Sequence, residues 1–301
     1  MNVRQRKAVL VVGLAVAATP APGQTADSSS KATQSSIPDF SGIWWHQSLP
    51  GMEPPASGPG PVTNLVRRKD NGESNYDQLV GNFRNPILKP DAAEVVKKYG
   101  EVALAGQVAP SPANQCWPEP LPFIYKNFAI QLLQQPQQVT ILYDQDHEVR
   151  HVRMNQQHPV PLTPSWYGDS VGHYEGDTLV IDTVSTRPDR KYAMVDLFGT
   201  PFTEKLHVVE RYRLINFEEA KEGLARDAKE NWRPAGPARS TGKHLQVHFT
   251  VEDEGVFTTP WTGTVTYGHG SDDWPETVCA ENIKKYYEPD TDVPNAAKPD
   301  F

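Results

Sequence analysis

The sequence predicts a mainly β fold, an antiparallel up-and-down barrel or strongly curved sheet with one or two peripheral helices. Three observations predict it. Eight or nine segments between residues 40 and 267 are rich in β-branched and aromatic residues, short polar turns join several of them, and strands and helices do not alternate as they would in a parallel fold.

The segments are Phe40 to Trp45, Phe123 to Leu133, Gln138 to Tyr143, Glu148 to Met154, Ser170 to Tyr174, Thr178 to Val184, Leu206 to Ile215, His244 to Val251 and Trp261 to Tyr267. Asp144 to His147, Glu175 to Asp177 and Asp253 to Gly255 read as turns. Pro90 and Asp91 precede Ala92, Ala93, Val95, Val96, Tyr99 and Val102, a set near the i, i+3, i+4, i+7 spacing, so one helix should run from there to Gly100 or Gly106. A second, surface helix is expected in a charged insertion near 217–242. Prolines make loops of residues 50–62 and 108–122.

Before this domain, Arg4, Arg6 and Lys7 precede an apolar run from Ala8 to Ala18, too short to span a bilayer and closed by Pro20 and Pro22. Residues 1–24 therefore read as a signal peptide, 25–37 as a flexible leader and 38–301 as a single β-rich domain, placing the mature chain in the periplasm or outside the cell. Cleavage removes three cations and shifts the net charge from −8 to −11. An acidic chain without a basic block lacks the footprint of a nucleic-acid binder, and no integral membrane segment is expected in the mature chain. Cys116 and Cys279 are the two cysteines; in an oxidising compartment they form a disulfide or remain as two buried thiols.

The segments Pro38-Asp-Phe-Ser-Gly-Ile-Trp, Cys116-Trp-Pro, Trp166-Tyr-Gly-Asp-Ser-Val-Gly-His-Tyr-Glu-Gly-Asp-Thr-Leu-Val-Ile-Asp-Thr, His207-Val-Val-Glu-Arg and Glu276-Thr-Val-Cys-Ala-Glu-Asn resemble a large family of secreted bacterial proteins. The central hairpin is also similar to hairpins of lipocalin-like β-barrels. The resemblance implies the fold and export and carries no activity. Tyr174 stands where the family pattern has Trp.

Gly168-Asp-Ser-Val-Gly172 matches G-x-S-x-G, but a hairpin follows instead of the helix that a nucleophile elbow requires. His147 and His151, like His244 and His248, are four apart, which in strands separates them by roughly 13 Å. No metal site and no cofactor are expected, since dinucleotide, P-loop and haem-attachment motifs are absent.

The hairpin gives the sharper candidates. With Gly176-Asp177 as its loop, Ser170, Gly172, Tyr174, Leu179, Ile181 and Thr183 share one face, while Val171, His173, Val180 and Asp182 share the other. His173 and Asp182 are then diagonal neighbours, a pairing suited to acid/base work or to a solvated surface. Glu210 lies on the face of Val208, Tyr212 and Leu214, and Arg150 on that of Val152 and Met154. If both faces are buried, the two charges need each other or a polar ligand. Tyr174, Trp166 and Tyr212 are candidate ligand contacts. Trp44, Trp45, Trp166 and Trp261 line a pocket or belong to the core.

Two readings of function follow. One is a cofactor-independent lyase, isomerase or hydratase acting on a small apolar or aromatic molecule, with His173 or Glu210 as acid/base and Arg150 orienting an anionic group. The other is a periplasmic ligand-binding or carrier protein using the same pocket without turnover.

Overall fold

The computed structural model describes residues 37–46, 52–145, 148–190, 192–231, 242–269, 274 and 276–279. The expected signal peptide and most of the leader lie outside them. Nine strands close into a barrel in sequence order: β1 (Gly42–Trp45), β2 (Ala129–Gln134), β3 (Gln138–Tyr143), β4 (Val149–Met154), β5 (Asp169–Glu175), β6 (Thr178–Val184), β7 (His207–Asn216), β8 (Lys243–Glu252) and β9 (Trp261–His269). Closure comes from the antiparallel pair β1 and β9, which leaves no free edge.

Strand directions cannot alternate all the way round a ring of nine, so one neighbouring pair must be parallel. That pair is β4 and β5, with Val152 opposite Ser170 and Met154 opposite Gly172. It departs from a wholly antiparallel meander and explains the long connection at residues 155–168, because a parallel step cannot be made by a tight turn. Gly172 allows the close approach: a Cβ there would lie 2.9 Å from Val152 Cγ1 and 3.1 Å from Met154 Sδ. Gly168 adopts φ +71°, and its Cβ would meet the Val184 carbonyl at 2.5 Å. Both glycines of the G-x-S-x-G pattern thus have packing reasons.

Alternation along the strands fills the interior. Leu132, Ile141, Val152, Ile181, Val208, Tyr212, Val247, Phe249 and Trp261 all point inward and are buried. The hairpin of β5 and β6 turns at residues 176–177 with 171 opposite 182, 172 opposite 181, 173 opposite 180 and 174 opposite 179. The Ser170 face is the inner one. Trp44 and Trp261 belong to the core.

Helix α1 (Pro90–Leu104) starts with proline in its first turn and buries Ala92, Val96 and Gly100. Helix α2 (Phe217–Glu230) follows β7 directly; Asn216 caps it, accepting from the Glu219 N–H while the Glu219 side chain accepts from Asn216 N–H. It packs outside β7, β8 and β9. One strand assignment is corrected: Phe123–Lys126 is a 3-10 turn, entirely buried, and strand structure begins only at Ala129. Its apolar content serves the core without strand pairing, so composition alone reads as β.

Candidate functional site

Three polar clusters are built on this frame, and the first lies inside the barrel. Arg150 from β4 and Glu210 from β7 meet as an ion pair, 2% and 0% exposed. Every guanidinium N–H has an acceptor. Nε donates to Ser170 Oγ (3.1 Å), one terminal nitrogen to Tyr143 Oη (3.4 Å) and Glu210 Oε1 (3.0 Å), and the other to Thr183 Oγ1 (3.2 Å) and Glu210 Oε2. Glu210 Oε1 also accepts from the Tyr125 and Tyr212 hydroxyls, the latter at 2.8 Å. Burial opposes the charge on Arg150, yet Glu210 and the surrounding oxygens raise its pKa well above the ordinary value. Ser170, buried and bonded to Arg150 and Thr183, is a member of this network. Tyr212, expected to touch a ligand, spends its hydroxyl here. The polar atoms of Arg150 and Glu210 are spent on one another and on Ser170, Tyr143, Thr183, Tyr125 and Tyr212.

The second cluster runs over the outside of the barrel. His173 and Asp182 are diagonal as the register requires, but the expected bond between them is not made. His173 is half exposed and bonds Glu175 at 3.0 Å. Asp182 instead receives His158 Nε2 at 3.0 Å and His207 Nε2 at 3.1 Å. His158 Nδ1 contacts Asp169 at 2.6 Å, and Arg153 reaches the same carboxylate at 2.7 Å. Burial works to raise the pKa of Asp182, and the His207 and His158 bonds outweigh it, leaving it lowered. His207 is correspondingly raised by the Asp182 bond. These contacts staple the 155–168 connection across the parallel seam. The partners of Asp182 come from a loop and from β7, beyond the reach of local register.

The third cluster sits where the 3-10 turn, the end of β3 and the start of β4 converge. Glu119, 1% exposed, faces Lys126 Nζ at 2.9 Å. Its backbone N–H donates to Glu148 Oε1 at 2.9 Å. Lys126 also donates to Asn127 Oδ1 (3.1 Å) and Gln145 Oε1 (2.5 Å). Glu148 Oε2 has no well-aligned donor. The ammonium thus pairs with Glu119 in a buried place, with Glu148 and Asp144 close enough for repulsion among the carboxylates. Burial raises Glu119 to about 7 despite Lys126. Glu148 rises to about 8 through burial and then the neighbouring Glu119 charge, although the Glu119 N–H, Lys126 and Tyr167 favour its ionised form. Both carboxyl groups are thus held above the usual carboxylate range by burial. Sequence reading missed this site: Glu119 stands between Pro118 and Pro120, and Lys126 hides in an apolar run. A charged residue within that run is the only local signal.

Next to this cluster, Pro118 and Pro120 line a narrow cleft with Trp117, Trp166, Arg187, Arg190 and Tyr192. Trp166, a predicted ligand contact, lies in it. Tyr174 lies elsewhere, accepting from Gln134 Nε2 at 2.8 Å. Cys116 and Cys279 are bridged, with Cα atoms 5.4 Å apart, fixing the Pro-rich segment to the C-terminal part. Among the described residues no three His, Cys, Asp or Glu side chains converge to hold a metal ion, and no helix is long and apolar enough to cross a membrane. His147 lies outside the described residues.

The chain matches no protein-family model, no curated protein and no solved structure. Function must therefore be argued from these clusters.

Proposed function

We propose that this chain is an exported, cofactor-independent enzyme of the lyase, isomerase or hydratase class, moving a proton on a small apolar or aromatic molecule, with Glu119 and Glu148 as the exchanging pair. The observation that carries the reading is the buried Glu119–Lys126 pair with the Glu148 carboxylate joined to it by the Glu119 N–H. A carboxylic acid and a carboxylate kept side by side can serve as donor and acceptor near neutral pH, the condition for general acid/base catalysis. Lys126 limits the charge of the pair, and Tyr167 sits beside Glu148 as a further hydroxyl. Export is supported by the cationic start and short apolar run of the sequence and by the Cys116–Cys279 bridge, since such bridges persist in oxidising compartments.

The inner Arg150 and Glu210 pair is assigned a structural role in this reading, because its donors and acceptors are spent on one another. His173 is assigned to the solvated surface. A carrier that binds without turnover is the competing reading. The deciding experiment incubates the purified protein with small aromatic and alicyclic compounds in heavy water and follows deuterium incorporation and product formation by NMR. Glu148→Gln should lower the rate by about 10²–10⁴ while the protein stays folded. No exchange with any compound, or equal rates in the parent, Glu119→Gln and Glu148→Gln, would overturn the assignment in favour of the carrier.

A further inference from the structure

The cleft beside the carboxylate pair has features that specify a ligand class. Its rings come from three separate segments: Trp117 meets Trp166 edge-on with centroids 5.4 Å apart, and Tyr192 at 5.7 Å. The Arg190 guanidinium lies over the Trp166 face, 4.4 Å from its centroid. Its Nε is buried without a hydrogen-bond partner, and the nearest carboxylate oxygen, on Asp189, is 3.9 Å away. Asp189 is already held by Arg187 through two bonds of 3.0 and 2.7 Å. Two guanidinium groups thus face one carboxylate, and the unmatched one rests on an aromatic plane.

We propose that this cleft recognises an aromatic carboxylate, the ring taking the place of the Arg190 guanidinium on Trp166 and the carboxylate pairing with Arg190. The cleft as it stands has a cavity volume of only about 10 Å³. Entry of a ring therefore requires the guanidinium to move. That exchange is favourable in kind: a cation resting on an indole face gives a weak attraction, whereas a guanidinium forked onto a carboxylate makes charge-assisted, geometrically matched bonds. Stacking on Trp166 replaces the ring contact that Arg190 gives up. The inference rests on the function proposed above, because Pro118 and Pro120, the chain neighbours of Glu119, line the cleft.

The test is a titration of intrinsic tryptophan fluorescence in the full chain with benzoate and phenylacetate, against benzamide, benzyl alcohol and acetate. The aromatic carboxylates should saturate at least tenfold tighter than any of the three controls. Arg190→Met should weaken them tenfold or more, with Arg190→Lys in between because it keeps the charge and loses the fork. Equal affinity for benzoate and benzamide, no saturation by carboxylates in the parent protein, or unchanged binding in a folded Arg190→Met would overturn the proposal. Binding and catalysis fail separately. Carboxylate-selective binding without deuterium exchange would remove the acid/base assignment and keep this site, whereas exchange without carboxylate preference would do the reverse.

Discussion

The barrel interior and the barrel end each bury an ionised cluster, and they solve the cost of burial in opposite ways. Inside, one guanidinium meets one carboxylate, and five N–H groups find acceptors on Ser170, Tyr143, Thr183 and Glu210. At the end, Glu119 takes the one ammonium, and an oxygen of the neighbouring Glu148 lacks an aligned donor. A balanced, saturated network makes a rigid wall, whereas an unbalanced one can relieve itself only by holding a proton. The difference separates a structural use of charge from a chemical one.

The comparison can be broken most forcefully at its balanced side. Arg150→Met leaves Glu210 buried without a counter-charge, so unfolding free energy should fall by about 3–5 kcal/mol, roughly 10 °C in melting temperature for a domain of this size. Adding Glu210→Gln removes the stranded charge and keeps an acceptor for Tyr125 and Tyr212, so the double variant should recover much of the loss. Additive melts would show that the two residues do not act as a pair.

Next in size is the tether of the unbalanced side. Replacing Cys116 and Cys279 by serine frees a loop of sequence separation 163 and should cost about 2–4 kcal/mol in denaturant unfolding. The Pro-rich segment carrying Glu119 should become the first to exchange its amide hydrogens; equal protection in both proteins would mean that the bridge does not secure it.

A smaller effect reads the proton directly. Burial holds Glu119 near 7 and Glu148 near 8, above the 4.5 of an exposed glutamate. The folded chain therefore binds more protons than the unfolded chain between about pH 4.5 and 8, and stability falls as pH rises through that window. His207, raised by Asp182, contributes a slope of the same sign, so parent and variant must be compared. Glu119→Gln with Glu148→Gln should flatten the decline in melting temperature; parallel curves would show that both groups ionise as exposed carboxylates do.

The smallest effect is expected at His173→Gln. Its ring is half exposed and, among the described residues, bonded to Glu175 alone, so stability should change by less than about 0.5 kcal/mol and catalytic rate not at all. A loss of rate would return His173 to the mechanism.

What was legible in the sequence follows the range of the forces that set it. Alternation within β7 and β4 placed Glu210 and Arg150 on apolar faces, where burial demands each other or a polar ligand as partner, and the structure makes the pair. The two-residue loop fixed the hairpin register, but both faces carry valine or leucine, so which of them turns inward was not legible. The end cluster was not legible, because its members come from a Pro-rich loop, a 3-10 turn and a strand start, none bound to the others by a periodic pattern. The parallel seam escaped for a different reason. Each strand can be read singly, but the number of strands in the closed ring is a property of the whole chain.

That number restricts how the barrel can change. In a closed ring the count of antiparallel neighbours must be even, and nine strands satisfy this with eight antiparallel pairs and the single parallel pair of β4 and β5. Loss or gain of one strand reverses the parity, so the ring can close again only by gaining or abolishing a parallel pair at the same time. Hairpins can therefore be inserted or removed as units while the seam stays in place, its connection fastened by the His158 to Asp182 staple.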